Sequence, residues 1–287
     1  SRYLGWKGMK KTSRIAENYY IKVTDSTVKL SYVKSVPDKG CNCGLRDDNK
    51  EKRPSNVNRA RTEFLDLGQS NKWPWMGTFT SGTEGLNYAA DIRAIPSWFN
   101  DYNHNHGCKI KYLLVFELGE KGRRMHSHFL LSDVPESFLR PYTAQEYKKL
   151  PADVKRLYSQ YRTAIGTRLC KCPAWKYGWS TLIPTDGSPK VVSYMTKYMT
   201  KGNIEFTTAF GGHAFFSSHG LKRPEKKKIP SSAVAAAFER IPTGTWFHDY
   251  KPDGTVLSSC YILDRDKISP DLWEYYINLY KSLQDGK

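Results

Sequence analysis

Arg124-Met125-His126-Ser127-His128-Phe129-Leu130-Leu131 is the stretch from which the rest of the chain is read. Side chains alternate along a β-strand, so Met125, Ser127, Phe129 and Leu131 share one face and His126 and His128 the other. Two imidazoles about 7 Å apart on one strand face grip a single metal ion if a third ligand lies beside them. Just upstream, Lys111-Tyr-Leu-Leu-Val-Phe-Glu-Leu118 is a second apolar run that carries an acid, Glu117. The connection Gly119-Glu-Lys-Gly-Arg123 is short and glycine-bearing, so the two runs are expected to pair as a hairpin. That pairing brings Glu117 alongside the two histidines and makes a two-His, one-carboxylate site. A His-x-His pair alone also reads as the polar face of an ordinary strand. The acid favours the metal reading, because a carboxylate in an apolar run needs a partner.

With 287 residues the chain can bury one sizeable core plus appendages. Its charge is unusual: 45 Lys+Arg against 28 Asp+Glu give +17. Such a surface favours a polyanion, since each phosphate neutralised releases counterions. The 19 Tyr, 12 Phe and 8 Trp offer rings on which unpaired bases stack, although most are needed for core. No run approaches the roughly 20 apolar residues of a membrane span, so no membrane partner is expected. Ser1 to Lys11 lacks the apolar centre of a secretion signal, and the cytoplasm of a bacterial host is the expected compartment. The Cys-x-Cys pairs Cys41/Cys43 and Cys170/Cys172 raise the question of structural zinc, but the spacing favours free cytosolic thiols.

Along the chain, residues 18–24 and 27–34 alternate as a β-hairpin, and 35–56 read as a basic loop. Residues 55–68 are a helix with Ser55 as N-cap, Gly68 as stop and Val57, Ala60, Phe64 and Leu67 as its apolar stripe. Residues 73–80 form a strand. A helix follows from Leu86 to Tyr102, with Pro96 expected to kink or split it. Residues 135–168 read as mostly helical with a break near Pro151; 177–183 are a strand, and Ser188 caps a helix that starts at Pro189. The order strand, helix, strand, strand, helix, strand, helix gives an α+β class, a ferredoxin-like or split βαβ core with an antiparallel sheet and helices on one side. Beyond it, a short helix over 231–240, a hairpin from 244–250 and 254–263, and a terminal helix from Pro270 to Leu283 are expected. The domain reading is 1–54 as N-terminal addition, 55–205 as core and 206–287 as C-terminal extension.

The helix after Pro189 is read as continuing through Tyr194-Met-Thr-Lys197-Tyr198-Met-Thr-Lys201, with Tyr194, Tyr198, Lys197 and Lys201 on one side. Buried rings and solvated lysines would also explain this pattern. A tyrosine hydroxyl, with a usual pKa of about 10, is a weak nucleophile. It attacks a phosphodiester when a metal polarises the phosphorus and a cation steadies the phenolate. Two tyrosines allow two successive transfers.

These elements together resemble rolling-circle replication initiators of the HUH endonuclease superfamily, specifically the two-tyrosine type of small circular single-stranded DNA phages and related plasmids. The likeness rests on Gly77-Thr-Phe-Thr80, Arg124-Met-His-Ser-His-Phe129 and Tyr194-Met-Thr-Lys-Tyr-Met-Thr-Lys201, in order within roughly residues 55–225. Asn58-Arg-Ala-Arg61 and Ser218-His-Gly-Leu-Lys-Arg-Pro224 match more loosely. The resemblance implies an HUH endonuclease fold, with His126, His128 and Glu117 as ligands of Mg²⁺ or Mn²⁺. It implies Tyr194 and Tyr198 as nucleophiles and Lys197 as the active-site lysine. Ser127 departs from the bulky apolar residue usual between the histidines, so local repacking is expected. The implied activity is nicking and rejoining of single-stranded DNA at a replication origin, through a 5′-phosphotyrosine. Host helicase and DNA polymerase would be partners, and Arg59, Arg61, Arg124 and Lys201 would contact DNA. The alternatives are a non-catalytic basic DNA-binding protein and an HUH transposase or relaxase. Transposases of this type carry one tyrosine and relaxases place theirs near the N-terminus, which disfavours both.

Overall fold

The computed structural model describes residues 16–35, 54–81, 88–119, 124–159, 162–163, 166–167, 169–243, 245–250 and 256–283. Cys41, Cys43, most of the expected loop over 35–56 and the hairpin connections at 120–123 and 251–255 lie outside them. The chain forms two compact units, one from Lys52–Arg223 and one from Ser1–Glu51 with Pro224–Lys287.

The chain begins with β1 (Ala16–Val23) and β2 (Thr27–Ser35), an antiparallel hairpin as the alternation predicts. Next come α1 (Pro54–Gln69), β3 (Trp75–Ser81), α2 (Tyr88–His106), β4 (Lys111–Leu118) and β5 (Met125–Ser132). The middle of the chain holds β6 (Arg140–Pro141), α3 (Ala144–Lys149), α4 (Ala152–Leu157), β7 (Arg162–Thr163), β8 (Gly166–Thr167) and β9 (Cys170–Lys171). After β10 (Gly178–Pro184) follow α5 (Pro189–Met195), α6 (Lys201–Ala209) and β11 (Phe216–Ser217). The last elements are β12 (Lys227–Lys228), α7 (Ser231–Glu239), β13 (Trp246–Tyr250), β14 (Val256–Asp264) and α8 (Pro270–Ser282).

The larger unit is built on a seven-stranded antiparallel sheet in the order β11-β4-β5-β3-β10-β9-β6. β5 lies between β3 and β4, which α2 connects, so the βαβ unit is split as the element order predicts. The helices, however, cover both faces rather than one. Ile92, Ile95, Phe99 and Tyr102 of α2 pack on the face carrying Phe79, Leu114, Phe116, Phe129 and Leu131. On the other face, Val57, Phe64 and Leu67 of α1, with Val192 and Met195 of α5, pack on Leu113, Val115 and Leu130. Each inner strand is apolar on both sides where helices cover it, so periodicity in the sequence does not show which helix takes which side.

Pro96 neither splits nor ends α2, which runs unbroken through it. An interior proline costs about 3 kcal/mol. The four buried α2 side chains outweigh that, at roughly 1.5–3 kcal/mol each. The segment 135–168 is much less helical than expected: after a 3₁₀ turn at Glu136–Phe138 it contains two one-and-a-half-turn helices and two short strand pieces. The break at Pro151 is present, as the N-cap of α4. α3 is fixed by a capping box between Thr143 and Glu146, and Glu146 also binds Lys171 and Arg140 at 2.7 and 2.5 Å. Ser188 occupies the N-cap position of α5 without a side-chain capping bond. Ser127 is fully buried on the α2 face of β5, with its hydroxyl 3.5 Å from the Phe79 carbonyl. The repacking around that small residue is aromatic, with Phe79 stacked on Trp175 at 4.2 Å and edge-on to Phe129 at 4.6 Å.

The smaller unit is a five-stranded antiparallel sheet, β12-β1-β2-β14-β13, so the first hairpin and the C-terminal strands belong to one sheet. α7, α8 and the expected C-terminal hairpin all form. Tyr276 of α8, fully buried, donates to the Ala237 carbonyl at 2.7 Å.

α1 starts at Pro54 and contains both Ser55 and Gly68, so neither is the boundary residue expected. Gly68 is there for contact: a Cβ at that position would lie 2.2 Å from Cγ1 of buried Val192. In a free helix Gly→Ala gains about 1 kcal/mol. Here the β-branched neighbour has little rotamer freedom with which to yield, and overpacking costs roughly 1–3 kcal/mol. Gly68→Ala is therefore expected to lower the urea unfolding midpoint, and the Gly68→Ala/Val192→Ala double variant to lose less than the sum of the single changes.

Candidate functional site

The site lies on the α1/α5 face of the large sheet, at the end those helices leave uncovered. Register places its residues in rows across the strands. Glu117 of β4 is opposite His126 of β5, His126 is opposite Thr80 of β3, and Thr80 is opposite Trp179 of β10. The next row on this face is Val115, His128, Thr78 and Thr181. Thr80 Oγ1 is 3.0 Å from Nδ1 of His126, and Thr78 Oγ1 is 3.0 Å from Nδ1 of His128. The Gly-Thr-Phe-Thr strand thus fixes both rings through one nitrogen each. Its Gly77 has no room for a side chain, since a Cβ there would lie 2.4 Å from the Phe129 ring.

His128 Nε2 is 2.9 Å from Glu117 Oε2. This bond pulls the Glu117 carboxyl below its usual range despite partial burial. Burial pulls His128 below the ordinary imidazole value, outweighing the carboxylate beside it. At neutral pH the ring is therefore neutral, which is the form that ligates metals. Among the described residues, no three His, Cys, Asp or Glu side chains stand together as a ready coordination group. The reason is local: Glu117 bonds directly to His128, and the two imidazole centroids are 6.1 Å apart. The donor chemistry nevertheless suits a divalent ion, with two imidazoles and one carboxylate. Both Nδ1 atoms are occupied by threonines, as a supporting shell requires. Gly119 keeps the space at His126 Nε2 open, since a Cβ there would come within 2.8 Å of that nitrogen.

The tyrosine segment is not the single helix expected. α5 ends at Met195, a 3₁₀ turn spans Thr196–Tyr198, and α6 begins at Lys201 after the break at Met199. The carbonyls freed at this break are satisfied from neighbouring elements. Asn203 donates to Tyr198 O at 2.9 Å, and Arg61 of α1 donates to Met199 O at 2.8 Å. Buried Met195 and Met199 anchor the segment in the core beneath.

As a result the Tyr198 ring stacks on His128, centroids 3.6 Å apart and planes 9° from parallel. The two phenol oxygens are 3.3 Å apart, and Lys197 Nζ contacts the Tyr194 oxygen while lying 4.6 Å from the Tyr198 ring centroid. Burial raises Tyr194, but the bonds from Lys197 and Tyr198 and the ammonium charge leave it below the ordinary tyrosine value. Tyr198 moves far the other way, pushed up by burial and by its bond with Tyr194.

A cleft of about 930 Å³ joins these groups, lined by His126, His128, Glu117, Tyr194 and Tyr198. The imidazole and phenol pairs, far apart in sequence, thus face one space. The DNA contacts expected from sequence do not line it. Arg61 is engaged with the tyrosine segment, and Arg59 is exposed on α1. Arg124 precedes β5, and Lys201 heads α6, 3.6 Å from Glu205. The cations that do line the cleft are Arg156 of α4 and Lys190 of α5, both exposed and neither singled out by any motif. Thr78 and Thr80 were within a quoted motif, but their partners depend on strand register.

Residues 74–203 match the family model for the replication-associated protein known as ORF2 or gene 2 protein, a span that contains every member of this cleft. The match supports a protein of the replication-initiator type. No curated protein and no solved structure matches the chain.

Lys197→Ala is expected to move the Tyr194 titration to higher pH, because the group that favours the phenolate is lost. The ring-carbon shift of ¹³C-labelled tyrosine, followed through an alkaline titration, reads this directly. An unchanged Tyr194 midpoint would show that the ammonium does not set its acidity.

Proposed function

We propose that this chain is a site-specific single-stranded DNA nickase and strand-transferase of the two-tyrosine HUH type. It would start and end rolling-circle replication of a small phage or plasmid. The observation that carries this reading is the Tyr198–His128 stack, which sets the phenols and the imidazoles around one cleft. A small-molecule enzyme with a His-x-His site does not account for the second phenol, for Lys197 between the rings or for a charge of +17.

His126, His128 and Glu117 would hold Mg²⁺ or Mn²⁺, which when bound polarises a phosphate and offsets its charge. The chain's own residues do the rest. A tyrosine phenol loses its proton, with Lys197 favouring the anion, and its oxygen attacks phosphorus in line. The P–O3′ bond breaks, the 3′ oxygen takes up a proton, and the 5′ phosphate stays on the tyrosine. The linkage conserves the phosphodiester energy, so a later 3′-OH reverses the step and rejoins the strand. Thr78 and Thr80 hold the imidazole orientation, while Arg156 and Lys190 at the cleft wall meet the phosphates. The freed 3′-OH would prime a host polymerase, and a host helicase would unwind the duplex ahead of it.

The test is incubation with divalent metal and labelled circular single-stranded DNA carrying the replicon's origin, followed by denaturing electrophoresis. A DNA–protein adduct is expected with the native chain and none with Tyr194→Phe/Tyr198→Phe. An adduct formed by that double variant would sink the assignment of the nucleophiles. His126→Ala is expected to reduce cleavage by at least about a hundredfold, the scale on which even supporting residues of a metal site act. Binding measured in chelator should be unchanged in this variant, because phosphate contacts use other residues. Cleavage that persists in chelator would overturn the role given to the metal.

A further inference from the structure

Trp179 is 41% exposed although it lies on an inner strand of the large sheet, and Tyr177 two residues before it is 67% exposed. Leaving a ring of that size in water forgoes roughly 2–3 kcal/mol of burial. The register shows where this ring is. Trp179 is opposite Thr80, and Thr80 is opposite His126, so Trp179 ends the row that begins with Glu117. Strands lie about 4.8 Å apart, which puts the Trp179 backbone about 10 Å from that of His126. A base flanking a phosphate held at the histidines is within reach of it.

Trp179 also separates two clefts. On one side it lines the cleft of the tyrosines; on the other it lines a smaller one of about 350 Å³. The walls of the smaller cleft carry Lys149, Lys171 and Lys176. Lys171 is paired with Glu146, whereas Lys149 and Lys176 are exposed. The ring's backing is rigid. Gly178 between the two exposed aromatics has φ +145°, and Tyr177 rests edge-on against Trp175, which stacks on Phe79 in the core.

The geometry points to Trp179 as a stacking platform for an unpaired nucleobase of single-stranded DNA, where the strand leaves the tyrosine cleft for the lysine-lined one. The inference rests on the nickase reading for the identity of the polymer, and it adds where the strand runs. Unpaired bases offer a free ring face, whereas in a duplex that face is already stacked on its neighbours. The lysines on the far side match the phosphates that come with such a base, in a chain of net charge +17.

The experiment measures equilibrium binding in chelator, where no covalent step intervenes. The probes are a short fluorescent single-stranded oligonucleotide of mixed sequence, an abasic strand of the same length and the matching duplex. Trp179→Ala is expected to weaken binding of the normal strand by about tenfold, the scale of one lost base–aromatic stack. Trp179→Phe, which keeps a ring, should retain most of the affinity, and the abasic strand should not distinguish Trp179→Ala from the native chain. Lys149→Ala/Lys176→Ala should flatten the salt dependence with all single strands alike. Equal affinity of Trp179→Ala and the native chain for the normal strand would overturn the proposal. So would an equal loss on the abasic strand, which would make Trp179 a packing residue, or an equal Trp179 dependence with the duplex. Trp179-dependent binding without any adduct in the covalent assay would leave this inference standing and remove the nickase reading.

Discussion

The constraint on which the structure depends is the register of four antiparallel strands, β4, β5, β3 and β10. Side chains on a strand alternate with a period of two, so a slip of one residue would turn an entire set to the opposite face. In the observed register Glu117, His126, Thr80 and Trp179 share a row, and His128, Thr78 and Thr181 share the next. The same choice sends Phe79, Phe129 and Leu131 into the core under α2. Burial of those apolar residues is what holds the polar row in place. The free energy that orders the site therefore comes from the opposite face of the same strands.

The tyrosines reach that row through a segment that is not regular helix. A continuous helix from Pro189 to Lys201 would have kept its carbonyls bonded internally and needed nothing from its neighbours. Breaking it at Met199 frees carbonyls that Arg61 and Asn203 then bind, which couples the segment to α1 and α6. Arg61 thus has a structural partner in the position where a basic motif suggested DNA. The break also explains why Lys201, expected beside the tyrosines, instead begins the next helix beside Glu205.

Much of this was legible in the sequence because it is local. The hairpin of β4 and β5 follows from two apolar runs and a glycine-bearing link, and the acid in the first run indicated the partner of the histidines. The continuity of α2 through Pro96 was not legible, since the burial that offsets the proline comes from residues distant in the chain. Residues 135–168 have helical composition, yet only short turns form, because Tyr142, Tyr147, Leu150 and Tyr158 are drawn into a cluster with Leu169 and Ile183. Gly68 shows the same limit. A glycine near a helix end reads as a terminator, and only the approach of Val192 reveals it as a contact. Arg156, Lys190 and Trp179 escaped notice for a related reason: they belong to no motif and acquire meaning only from the cleft they line.

The two phenols, four residues apart, do not share one environment. Tyr194 is exposed and its oxygen touches Lys197, whereas Tyr198 lies beneath it against His128. A single ammonium lies over both rings, 3.6 Å from one centroid and 4.6 Å from the other. With the oxygens 3.3 Å apart, a negative charge on one raises the cost of placing a second on its neighbour. One lysine and two touching phenols therefore sustain one phenolate at a time, and the exposed ring is the one the environment favours. Two nucleophiles that must act in turn are kept from ionising together by their own proximity, with no moving part required.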